Sequence, residues 1–156
     1  MNPTTSVTVR REILVQAPRA RAFTTFIDMT AWWPLATHTL GKAPARASVI
    51  EPHAGGRWYG VDADGDEHGI GRVLAYEPPA RLLLSWEVSH DFKPDPSVQT
   101  EVEVTFSEDS PTTTRVVLEH RGIEAYGAHA EEMRETFESG GGWGLLLDLF
   151  AAHAAK

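Results

Sequence analysis

Between Glu131 and Ala155 the apolar residues Met133, Phe137, Trp143, Leu147 and Phe150 recur at spacings of 3, 4 or 6. Such a stripe predicts an amphipathic helix that must lie against something. In its middle stands Gly140-Gly141-Gly142-Trp143-Gly144. Each glycine inside a helix costs about 1 kcal/mol relative to Ala. Two readings follow. In the first the helix continues, and the glycines allow close approach to a sheet or to a ligand, with Trp143 filling the space left by the missing side chains. In the second, two helices are joined by a glycine loop at Ser139–Gly142. Either way the segment is a lid over a β-rich body.

That body is visible upstream. Val7 to Ala17 reads as a strand, with Val7, Val9, Ile13, Val15 and Ala17 on one face. Arg11 falls on the same face, so either a bulge turns it outward or a cation projects inward. Pro18 opens a helix with the stripe Ala22, Phe23, Phe26 and Ile27. Thr30 can cap a second short helix carrying Trp32 and Trp33 before Pro34. Then come six strand-like segments: Ser48–Glu51, Arg57–Val61, Glu67–Tyr76, Arg81–Val88, Val98–Phe106 and Thr114–His120. The turn Asp62-Ala63-Asp64-Gly65-Asp66 is a hairpin turn, since it lacks the 12-residue calcium-loop pattern. The inward set of the last two strands is Val98, Val102, Val104, Phe106, Val116, Leu118 and His120, with Glu119 on the opposite face from His120. Tyr59 is expected to face inward and Trp58 outward.

Short connections make an antiparallel sheet, and one apolar face needs a cover. The expected fold is α+β: a curved antiparallel sheet of about seven strands, in the order β-α-α-β6-α, wrapped around a long C-terminal helix. The 156 residues make one domain, 1–156, with Met1–Ser6 as a frayed tail. A charge of −8 argues against nucleic acid as a partner. No leader-like start and no apolar run of spanning length are visible, so a cytoplasmic protein without a membrane span is expected. There is no cysteine, hence no disulfide or thiolate chemistry. The seven histidines form no short-spaced ligand pair, and no phosphate loop or dinucleotide fingerprint occurs, so neither a metal nor a cofactor is expected.

Several stretches carry a family resemblance: Ala22-Phe23 with Trp32-Trp33-Pro34, Gly55-Gly56-Arg57-Trp58-Tyr59, and Gly71 through Tyr76-Glu77-Pro78-Pro79-Ala80-Arg81-Leu82 to Trp86. Thr114-Arg115-Val116 with Leu118 and His120, then Gly142-Trp143 with Leu146 and Phe150, complete the set. Together they resemble the SRPBCC or START-like superfamily, the helix-grip fold, and within it the branch named after the activator of heat-shock-chaperone ATPase. The glycine triplet is richer than that branch usually shows. The resemblance implies a hydrophobic pocket between sheet and helix. Members carry small ligands, cyclise or dehydrate polyketides, or act as co-chaperones, so the fold alone does not choose among them. The expected ligand-binding residues are Trp32, Trp33, Arg57, Tyr59, Trp86, His120, Trp143 and Phe150. A polyketide cyclase or dehydratase would use His120 as its acid–base group. A chaperone partner ranks last, because that role in the name-giving protein also involves an N-terminal domain with no counterpart in this sequence. The leading expectation is non-catalytic binding or carriage of a small hydrophobic molecule, aromatic ones included.

Overall fold

The computed structural model describes residues 7–38, 40 and 43–156. The expected tail, Met1–Ser6, lies outside them. Strand β1 (Val9–Val15) leads into helix α1 (Arg19–Ile27) and a 3-10 turn, Met29–Ala31. Strands β2 (Ala45–Ile50), β3 (Arg57–Asp62), β4 (Glu67–Glu77), β5 (Arg81–Trp86), β6 (Thr100–Ser110) and β7 (Thr113–Arg121) follow. A second 3-10 stretch, Ile123–His129, then enters helices α2 (Ala130–Glu138) and α3 (Trp143–Ala154). The strands form one antiparallel sheet in the order β1-β7-β6-β5-β4-β3-β2. It curls as a half-barrel around the C-terminal helical segment, the α+β helix-grip architecture.

Alternation builds the covered face. Val102 pairs with His120, Val104 with Leu118 and Phe106 with Val116 across β6 and β7, and all six are buried. Residues directly opposite share a face of the sheet. Their intervening neighbours point to solvent, where Arg121 and Arg81 both pair with Glu103 and Arg115 pairs with Glu12. Helix α1 fills one end of the half-barrel: Phe23 and Phe26 meet Phe106 edge-on at ring distances of 5.1 and 6.0 Å. The expected second short helix is instead the Met29–Ala31 turn, with Trp32 closing it. Thr30 does not cap it; its hydroxyl donates to Ser48 O at 2.8 Å and accepts from Ser48 N–H at 3.1 Å, tying the turn to β2.

Three sequence readings are decided by the structure. First, of the two readings of the glycine run the second holds: α2 and α3 are separate helices joined at Ser139–Gly142. A Cβ on Gly142 would lie 2.2 Å from Phe137 O, so the close approach is to the end of α2, not to the sheet. Second, Arg11 neither bulges outward nor enters the interior. The β1–β7 register is unbroken through the Arg11–Leu118 pair, and the guanidinium donates to Glu138 O at 3.0 Å, satisfying a carbonyl that the break orphans. Third, Trp58 is fully buried, whereas Arg57 and Tyr59 face outward with the guanidinium 4.2 Å above the phenol ring. The indole takes the larger apolar gain, and the tyrosine stays at the surface, packed under Arg57.

Candidate functional site

A cavity of about 490 Å³ opens between the sheet and the helix break. Its walls are Trp33, Ile70, Trp86, Phe137, Trp143 and Leu146, and its rim carries Thr37, His38, Leu40, Phe92, Ser139 and Gly141. Each wall has a traceable origin. Trp33 follows the 3-10 turn and is fixed by its indole N–H, which donates to His38 O at 2.9 Å. Trp86 ends β5 and donates to the Tyr126 hydroxyl at 3.0 Å, which in turn donates to Val88 O at 2.5 Å. Burial pushes the Tyr126 phenol up to about 12, so it stays protonated and keeps that donor. Trp143 opens α3 and donates to His120 Nδ1 at 3.0 Å. The three rings interlock edge-on, Trp86–Trp143 at 5.9 Å and Trp33–Trp143 at 6.5 Å.

His120 faces inward as its strand register predicts and is fully buried. An indole N–H only donates, so His120 Nδ1 accepts, and the single proton of the neutral ring sits on Nε2. Nε2 then donates to Thr100 Oγ1 at 2.8 Å, and the Thr100 hydroxyl donates to Trp86 O at 3.0 Å. Burial pushes the imidazole down to about 3, which keeps it neutral at ordinary pH. Both nitrogens are occupied, which leaves no lone pair or proton for a bound molecule. His120 therefore positions Trp143 and Trp86 and has no free hand for acid–base work.

The eight residues expected at the site thus separate into three groups. Trp33, Trp86 and Trp143 line the cavity. Trp32, His120 and Phe150 are buried behind it; Trp32 packs on Phe26 and Phe150 at 5.2 and 5.6 Å. Arg57 and Tyr59 lie on the other side of the sheet and do not join them. Sequence reading missed Ile70, Phe92 and His38. His38 bridges the rim: Nε2 lies 2.7 Å from Gly141 O and Nδ1 2.9 Å from Thr37 Oγ1. Nothing in the sequence around His38 marks this role, because its partner is 103 residues away.

The polar side chains of the rim are turned to backbone. Ser139 Oγ donates to Thr136 O and Thr136 Oγ1 to Glu132 O. Among the described residues, two buried polar side-chain atoms have no partner, Ser48 Oγ and Trp58 Nε1. No described helix is long and apolar enough to cross a membrane.

The family model of Activator of Hsp90 ATPase homolog 1-like protein matches residues 16–155. Among solved structures, the chain is similar to an anthrahydroquino-gamma-pyrone synthase, solved complexed with SUM: 31% identity over 97% of this chain and 99% of that one, TM-score 0.66. It is also similar to a self-sacrificing resistance protein from Micromonospora echinospora, with 30% identity over 95% of this chain and 94% of that one, TM-score 0.69. A protein of unknown function from Staphylococcus aureus shares the fold at 16% identity, covering 97% of this chain and 94% of that one, TM-score 0.67. No curated protein matches the chain.

Proposed function

The chain belongs to the Activator of Hsp90 ATPase homolog 1-like family, and on that premise we propose that it binds a small, flat, hydrophobic molecule of aromatic type without transforming it. One observation carries this reading. Three tryptophans wall the cavity while the N–H of each is consumed inside the protein, so a ligand meets their ring faces and edges and no free indole N–H. The volume lies within the usual range for small-molecule sites. Two relatives at 30% identity or more, a pyrone synthase and a resistance protein, fit a site for such molecules.

Apolar burial sets the scale of the affinity. Burying ~300 Å² of a flat ligand at about 25 cal/mol per Å² gives a gross gain near 7 kcal/mol. Lost translational freedom and side-chain ordering take back several kcal/mol, leaving binding weaker than micromolar, down to about millimolar, for a non-cognate probe. The test combines native mass spectrometry of freshly purified protein, for a retained molecule, with titration of anilinonaphthalene sulfonate followed by tryptophan fluorescence. Saturation at one dye per chain is expected, weakened at least tenfold by Trp143→Ala. Binding that never saturates would overturn the reading.

A second reading, a cyclase or dehydratase, is favoured by the 31% identity to a synthase. It needs an acid–base group other than His120. Turnover of an aromatic polyketide substrate that survives His120→Gln would establish it. A chaperone partner is the third reading, tested by pull-down.

A further inference from the structure

Beside the aromatic cavity lies a second one of about 20 Å³, and Trp33, His38, Leu40 and Ile70 line both. The remaining lining of the small one is different in kind. Ser48, Gly60 and His68 sit in one row across β2, β3 and β4, because Ser48 pairs with Gly60 and Gly60 with His68. Register partners share a face. Glycine in the middle of the row leaves the space that a side chain would fill: a Cβ there would meet nothing nearer than Ala47 O at 3.8 Å.

The polar groups around that space are incompletely used. Ser48 is 3% exposed and its Oγ has no partner, although its backbone is locked by the two-way bond with Thr30. A buried hydroxyl without a partner is uncommon and costly. His68 Nε2 lies 2.9 Å from Asp62 Oδ2, and Asp62 Oδ1 accepts the N–H groups of Asp64 and Asp66 at 2.9 and 3.0 Å. The carboxylate fixes the ring with its N–H on Nε2. That leaves the Nδ1 lone pair without a protein partner among the described residues. One buried donor without a partner, on Ser48, and one imidazole acceptor, on the partly exposed His68, therefore belong to residues bordering a void large enough for a single oxygen atom.

We propose that the small cavity is the polar subsite of the aromatic site, taking a phenolic hydroxyl of the ligand between Ser48 Oγ and His68. The hydroxyl accepts from Ser48 and donates to His68, a pairing that a carbonyl, an ether or a bare ring edge does not complete. The inference rests on the ligand-binding reading and narrows it to hydroxylated aromatics.

The test is calorimetric titration of the full chain with 2-naphthol and with naphthalene. A purely apolar site favours naphthalene, because the phenol loses its hydration without compensation. A subsite that satisfies the hydroxyl reverses the order, and about a five- to tenfold preference for 2-naphthol is expected. Ser48→Ala should abolish the preference and leave naphthalene binding unchanged. Gly60→Ala, which fills the void with a methyl group, should do the same by a separate route. Equal binding of both compounds, or a preference that survives both substitutions, would overturn the subsite and leave the aromatic cavity standing. Failure of both compounds to bind would overturn the ligand reading along with it.

Discussion

Replacing His120 by Gln removes the fully buried imidazole while keeping an amide that can accept from Trp143 or donate to Thr100. The consequence for stability follows from the pH dependence of the histidine. Its ordinary value is 6.5 and burial lowers it to about 3. Above pH 6.5 the ring is neutral in both folded and unfolded chains and contributes no pH dependence. Below 6.5 the unfolded chain takes up a proton that the folded chain refuses until about pH 3, so stability is lost as pH falls. Each unit in that window costs about 1.4 kcal/mol, or close to 3 kcal/mol between pH 6.5 and 4.5. The carboxylates held low by arginine, Glu12 and Glu103, lose stability at acid pH too, but equally in both proteins. The difference between wild type and His120→Gln isolates the ring. Urea denaturation followed by far-ultraviolet circular dichroism at four or five pH values between 7 and 4.5 supplies it. The wild-type curve should fall towards the variant's and cross or approach it at the acid end. Parallel curves would mean that the imidazole takes up its proton in the folded state, and the hydrogen-bond assignment at Nδ1 and Nε2 would be wrong.

Gly142→Ala and Gly144→Ala should have opposite signs in urea denaturation. The first drives a methyl group into Phe137 O at 2.2 Å and should cost about 1–3 kcal/mol, while the second meets only Arg11 Nε at 3.7 Å and should gain up to about 1 kcal/mol of helix propensity. His38→Ala cuts the contact between the rim and Gly141 O; stopped-flow dye binding should show faster association and faster release, with the melting temperature nearly unchanged.

The strands were legible because their faces differ in chemistry. Val102, Val104 and Phe106 alternate with Glu101, Glu103 and Thr105, so period-2 reading gives both the strand and its register. In β3 the sequence Arg-Trp-Tyr-Gly-Val-Asp is mixed on both faces, and pattern alone leaves the parity open. Trp58, Gly60 and Asp62 take the inner face, where Asp62 holds the turn and Gly60 faces Ser48 and His68. The inward direction of His120 could be read from alternation. Its saturated hydrogen bonds could not, since Thr100 and Trp143 are 20 and 23 residues away and only the curl of the sheet brings them together. Arg11 misled for a related reason. On an edge strand, an inward position near a helix end meets a carbonyl that needs a donor, and charge there is an asset.

The glycine run finds its explanation in the cavity. Phe137 and Trp143 are six residues apart, which at 3.6 residues per turn is about 240° of rotation. One uninterrupted helix therefore cannot aim both rings into the same space. The break at Ser139–Gly142 resets the rotation, and both rings become walls of the cavity. Opening a helix leaves orphaned carbonyls and amides, and beside an apolar site these would either attract water or weaken the fold. Here four of the carbonyls are taken up within the protein: Glu138 O by Arg11, Gly141 O by His38, Ser139 O by Gly142 N–H and Gly142 O by Leu146 N–H. The break thus widens the cavity while four of its carbonyls keep partners within the protein. Glycine at 142 is what lets the chain re-enter so close to Phe137 O. The same residues that make this segment a poor helix by propensity make it a good wall, and the spacing of six was the trace of that in the sequence.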